Sequence, residues 1–264
     1  MSTMVVNKLP GADFSEYGMG RKLPAGDRCV AWYEFGADER RSRRNHALAG
    51  SRGHFAGSYS IATAGFSGGY FITEIGNDLL SADMTTMVFM KPGTSGADLS
   101  PAFLAGGVTG ANQQANESTP LRYSAAVQQR VYTAAAYDIV GQMGTYDSTA
   151  PSGAGVNNSI SRLLSGGTAA LCAIQEFVAA TRVHTMTLRN GAAFSTVSTA
   201  SVTASANHIR DTRTTLPFEV VPKDGTGSVA YSLMVFAGAL TAAEKNAIYA
   251  LEAARLTALG VASL

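Results

Sequence analysis

Hydrophobic residues along most of this chain fall in short alternating runs, separated by clusters of Gly, Pro, Ser and Asn, a pattern that predicts strands and tight turns. The most strongly patterned stretch is Leu216 to Gly260. It reads as a strand (LPFEVVP), a loop (KDGTGS), a second strand (VAYSLMVFAGA) and a helix (LTAAEKNAIYALEAARLTALG). In the second strand Ala230, Ser232, Met234 and Phe236 alternate with Tyr231, Leu233 and Val235. Both sets are mostly apolar, which predicts a strand covered on two faces. Thr241 followed by Glu244 is a capping-box spacing that starts the helix, and Gly260 supplies its stop.

Earlier in the chain, Arg28–Phe35 predicts a strand holding the single Trp. The glycine-punctuated section 50–76 reads as two or three short strands with turns near Gly65 and Gly68-Gly69. Met84–Lys91 is a strand ended by Pro92, which has no N–H for a ladder. Further strands are expected at Pro101–Gly106, Arg122–Ala126, Arg130–Ala136, Tyr137–Gln142, Thr168–Ala179, Thr181–Arg189 and Ala192–Val197. Asn190-Gly191 joins the last two as a type I′ hairpin, whose central residues need positive φ. Residues 143–158, rich in Gly, Ser, Pro and Asn, read as a flexible loop.

Residues 1–27 read as an extended arm ahead of a sandwich at 28–264. Within the arm Lys8-Leu9-Pro10-Gly11-Ala12-Asp13 returns as Lys22-Leu23-Pro24-Ala25-Gly26-Asp27. Each copy gives an extended Leu-Pro followed by a turn, so Leu9, Pro10, Leu23 and Pro24 are candidate contacts to a partner subunit.

Composition narrows the function classes. The 20 Lys and Arg against 19 acids leave no global field to attract nucleic acid or an anionic membrane, so any anion binding must be local. No apolar run approaches the roughly 20 residues of a spanning helix, which argues against membrane insertion. The start, MSTMVVNKLP, lacks the pattern of a signal peptide, so synthesis in a cytoplasm is expected. Cys29 and Cys172 sit in apolar runs with no metal-ligand spacing and are expected as buried thiols.

The ending Phe236-Ala237-Gly238-Ala239-Leu240-Thr241-Ala242-Ala243-Glu244, with Ile248-Tyr249, resembles the close of concanavalin A-like, laminin-G-type jelly-roll domains. The opening CVAWYEF, the core strand MTTMVFMKP and the Asn190-Gly191 hairpin are similar to that family's elements in the same order. The resemblance implies an all-β, antiparallel jelly-roll sandwich with a short C-terminal helix. Its loop after the first strand departs from the family, placing Arg40, Arg41, Arg43 and Arg44 where a small glycine turn is usual. Many such domains hold calcium through loop carboxylates, for which Asp78, Asp83, Asp98, Asp147 and Asp211 are the candidates. No two of these fall in a diagnostic spacing, and the expected cofactor set is therefore none.

The β-glucan-cleaving members of this superfamily carry Glu-x-Asp-x-x-Glu on one strand, and Glu34, Glu74, Glu176 and Glu219 have no acidic partner two positions away. Neither a Gly-x-Ser-x-Gly elbow nor an HxxxH or HxH spacing supports a hydrolase or a histidine metal site. A non-enzymatic role is expected. Carbohydrate contact would use Tyr146, Asn157 and Asn158, which combine an aromatic face with amides. The Arg40–Arg44 cluster fits a partner's acidic surface or the phosphates of lipopolysaccharide; nucleic acid ranks last because no aromatic interleaving accompanies it. Such sandwiches occur in bacteriophage tail and other virion proteins. The reading is accordingly a virion component: a tail-fibre or tail-tip protein that contacts host surface glycan, anchored to other virion proteins by its arm and assembled as a homo-oligomer, perhaps a trimer by resemblance. A purely architectural virion protein, capsid decoration or fibre joint, is the alternative.

Overall fold

In the computed structural model the described residues are 23–47, 52–75, 83–93, 103–109, 122–133, 136–147, 149, 156–165, 169–190, 194–201, 208–210 and 218–261. In chain order the elements are β1 (Cys29–Glu34), α1 (Glu39–Ser42), β2 (His54–Ile61), β3 (Phe66–Ile72), β4 (Met84–Lys91), β5 (Phe103–Thr109), β6 (Arg122–Thr133) and β7 (Ala136–Asp147). There follow β8 (Val156–Ser165), β9 (Leu171–Val178), β10 (Val183–Arg189), β11 (Ser195–Ser201), β12 (His208–Arg210), β13 (Phe218–Pro222), β14 (Val229–Ala237) and α2 (Ala242–Ala258). Every strand pairing is antiparallel.

The chain is an antiparallel jelly-roll β-sandwich. One layer runs β11-β10-β9-β4-β14, with β1 completing it beside β14; the other runs β3-β13-β5-β6-β7, flanked by β2 and β8. The layers join where Ala230 of β14 pairs with Phe66 of β3. Between them lies the main core, in which Tyr33, Phe35, Phe66 and Phe71 pack edge to face with Leu233, Val235, Val88 and Phe218.

The first layer is covered on both sides, as the doubly apolar pattern of β14 requires. Leu233 and Val235 point into the main core, whereas Met234 and Phe236 join Trp32, Met87, Phe89 and Ile174 in a second cluster. That cluster is closed by Ile248, Tyr249 and Leu256 of α2. Thr241 and Glu244 form the expected capping box. Glu244 is held down to about pKa 2, first by the Thr241 backbone N–H and then by Arg28, whose guanidinium also pairs with it. Farther along α2 the fully buried Glu252 pairs with Arg255, which also donates to the Tyr231 carbonyl at 3.1 Å. Cys29 and Cys172 are unbonded thiols in this second cluster, and burial pushes Cys29 up to about 12. No helix among the described residues is long and apolar enough to cross a membrane.

Three expectations are revised. Residues 143–158 are not one loop: Met143–Asp147 extend β7 and Val156–Asn158 open β8, paired from Ala136↔Ser165 to Thr145↔Val156. Ladder hydrogen bonds from β6 and β8 hold there a composition that reads as turn in isolation. Gly68-Gly69 is no turn but an irregularity inside β3, both residues at positive φ. Packing begins before residue 28, because Leu23 is buried in the second cluster. The rest of the expected arm, residues 1–22 with Leu9 and Pro10, lies outside the described residues.

Candidate functional site

The most chemically varied surface among the described residues is built by the segment after β1 and by β2. Asp38 caps α1, its carboxylate accepting from the Arg41 N–H at 2.8 Å. Ser42 is buried beneath the turn, accepting from the Gly36 N–H at 2.9 Å. Asn45 then fastens the chain to β1: its side-chain oxygen accepts from the N–H groups of Trp32 and Ala47, both at 3.0 Å, and its amide donates to the Val30 carbonyl at 3.1 Å. These bonds satisfy buried backbone groups and fix the arginine segment in place.

Opposite, β2 is paired on one side by β3, with a register shift between Ala56 and Tyr59. The shift sits against Gly68 and Gly69, whose positive φ glycine tolerates without strain. A Cβ on Gly68 would lie 2.0 Å from Asp224 Oδ1, so the site demands glycine for space as well. Such an irregularity re-aims a side chain, and here the residue is Tyr59, which pairs with Gly68. At 36% exposure Tyr59 is the large apolar side chain left at the surface among the described residues. Its ring stacks on Phe55, centroids 4.8 Å apart at 23°. Phe55 in turn packs on Phe35, Phe66 and Phe71, so the exposed ring is braced by the core.

The Tyr59 hydroxyl donates to Glu39 Oε2 at 2.9 Å, and that bond, first among its causes, raises the phenol's pKa. The other carboxylate oxygen of Glu39 faces Arg43 Nη1 at 3.4 Å, while Arg43 Nε donates to the Gly53 carbonyl at 3.1 Å. An apolar ring face therefore stands beside a carboxylate, a guanidinium and the exposed Ser58 and Ser60. That combination suits a polyhydroxylated ligand, with the ring taking its C–H face and the polar groups its hydroxyls.

The expected site residues are distributed differently. Arg40, Arg41, Arg43 and Arg44 lie together on or just after α1. Arg41 pairs with Asp38 at 3.6 Å and Arg43 with Glu39. Tyr146 stands in β7 opposite Ile209, and Asn157 and Asn158 in β8 opposite Gly144 and Met143, on strands and not in a loop. Leu23 is spent on the chain's own core, and Pro24 lies in the turn that follows it. Asp83 accepts from the Ala179 N–H at 2.7 Å, and Asp147 lies in β7; Asp78, Asp98 and Asp211 fall outside the described residues. Among the described residues no three His, Cys, Asp or Glu side chains gather to hold a metal. Sequence reading missed Tyr59; the one available signal is the aromatic between two serines, where alternation breaks in a glycine-rich strand.

No protein-family model matches the chain, and no curated protein matches it in sequence. Among solved structures it is similar to the binding domain of botulinum neurotoxin serotype D/C, with a TM-score of 0.56 at 8% identity over 86% of this chain and 53% of that one. The serotype C1 binding domain gives 0.53 at 9% identity, again over 86% and 53%. A type C neurotoxin structure, titled for the dependence of its cell entry on two ganglioside molecules, gives 0.52 at 9% over 86% and 52%. At such identities the likeness establishes the fold alone. The chain spans about half the length of the structures it matches.

Proposed function

We propose that this chain is a non-enzymatic recognition module that binds a surface glycan, as part of a bacteriophage tail fibre or tail tip. The observation that carries the reading is the braced, exposed Tyr59 ring with Glu39, Arg43 and two serines around it. The neurotoxin domains lend support, since they are receptor-binding by name and one is tied to gangliosides. In this reading residues ahead of Leu23 attach the sandwich to other virion proteins, and several copies assemble together. Tyr146, Asn157 and Asn158, on neighbouring strands, form a second surface to probe.

The test is a glycan array with the full chain, followed by affinity measurement for any saccharide retained. Tyr59→Ala should weaken binding at least tenfold, about 1.4 kcal/mol, and Tyr59→Phe should keep most of it because the ring remains. Folding should be nearly unchanged, as the ring is a surface group. Unaltered binding by Tyr59→Ala with loss on substituting Tyr146, Asn157 and Asn158 would move the site to β7 and β8. Failure of the wild-type chain to bind any saccharide would overturn the reading and leave the architectural role.

A further inference from the structure

We propose that Arg44 and Arg52 form an oxyanion site, so that the glycan recognised here carries a carboxylate or a phosphate; this rests on the glycan-recognition reading above. The two arginines face each other across an antiparallel bridge. The framing bond, Gly53 N–H to Arg43 C=O at 2.8 Å, lies one position outside the pair. That makes it the narrow type of antiparallel pair, in which facing side chains are closest and like charges repel.

The repulsion has no internal relief. Arg41 and Arg43 are matched by Asp38 and Glu39, but among the described residues neither the Arg44 nor the Arg52 guanidinium has an acidic or hydrogen-bonding partner. The Glu74 carboxylate does reach Arg52, yet it accepts from the backbone N–H at 3.0 Å. The backbones cannot separate easily either. Asn45 ties one strand to β1, and Gly53 lies so close under Phe71 that an added Cβ would be 2.1 Å from its Cζ. The exposed His54 follows Arg52 by two positions, on the same face of an extended strand.

Residues 38–54 carry five arginines and two acids, whereas the whole chain has a net charge of +1. The positive field is therefore confined to this patch. Two guanidinium forks side by side offer the planar, paired donors that carboxylate and phosphate oxygens accept. Tyr59 is linked to the patch through Glu39, Arg43 and the Gly53 carbonyl, which places a saccharide-stacking ring along the same surface. A nucleic acid is disfavoured because the accompanying helix has four residues and a single exposed ring is present among those described.

The full chain, an Arg44→Gln/Arg52→Gln variant and Tyr59→Ala are titrated against N-acetyllactosamine, its sialylated form, a phosphorylated mannose oligosaccharide and a DNA duplex. Each protein is also melted in chloride and in inorganic phosphate at matched ionic strength. The wild type should prefer an acidic saccharide by about tenfold or more. The double variant should fall to the neutral level without melting lower in chloride, and phosphate should raise the melting temperature of the wild type alone. Equal affinity for neutral and acidic saccharides, with no arginine-dependent effect of phosphate, overturns the oxyanion site and leaves glycan recognition standing. No saccharide binding, with phosphate still acting through the arginines, overturns the glycan and keeps the anion site. Arginine-dependent binding of the duplex alone overturns the ligand class.

Discussion

His184 should make the fold sensitive to mild acid. It lies buried between the layers on β10, facing Gly141 of β7 and Gln175 of β9. The Gln175 amide nitrogen donates to the Gln142 carbonyl at 2.6 Å, so its second hydrogen is the one that meets His184 Nε2 at 3.0 Å. Nε2 must then accept, and the neutral ring carries its proton on Nδ1. Protonation would set one donor against another in a site without water's dielectric. Burial holds the imidazole down to about pKa 4 from its ordinary 6.5. The unfolded chain thus binds this proton first as pH falls. Stability from this group is complete above pH 6.5, is lost between 6.5 and about 4, and is constant below. The loss amounts to about 3 kcal/mol. Urea unfolding of the wild type and of His184→Gln, which keeps an acceptor for Gln175, should give a difference curve that bends over that window. Carboxylates common to both proteins cancel in the difference. A flat difference curve, or a ring-proton NMR titration of the folded chain centred near 6.5, would refute the reasoning.

Two further substitutions probe packing and capping. Gly53→Ala should destabilise by about 1–3 kcal/mol in chemical denaturation, because its Cβ meets the Phe71 ring and the Ile72 carbonyl; an unchanged midpoint would mean that Phe71 has room to turn. Thr241→Ala removes the acceptor for the Glu244 N–H and should cost about 1 kcal/mol, with Thr241→Ser restoring most of it in the same assay.

The elements legible in the sequence are those whose signals are local. Thr241 and Glu244 mark a helix start by spacing alone, and β14 shows its two covered faces because both sets of alternating residues are apolar. Nothing in VNNSISRLLS announces β8, since its strand state is supplied by pairing with β7. Gly68-Gly69 misled for a related reason: adjacent glycines usually make a turn, but here they admit Asp224 and displace Tyr59 within a continuous ladder. The arginine cluster could be read from the sequence as a group. Its division into paired and unpaired members could not, because the bridge that opposes Arg44 to Arg52 depends on where the chain returns after residue 51.

The position of β14 bears on how the chain can be made. The last strand in sequence order lies between β1 and β4, two of the earliest. On a ribosome those early strands emerge with apolar surfaces and open ladder edges, and their shared neighbour is translated roughly 140 residues after β4. Neither layer can close until that segment clears the exit tunnel. Folding is then necessarily post-translational for this sheet, and the interval before β14 arrives is when nascent copies are most exposed to misassociation and to chaperone capture.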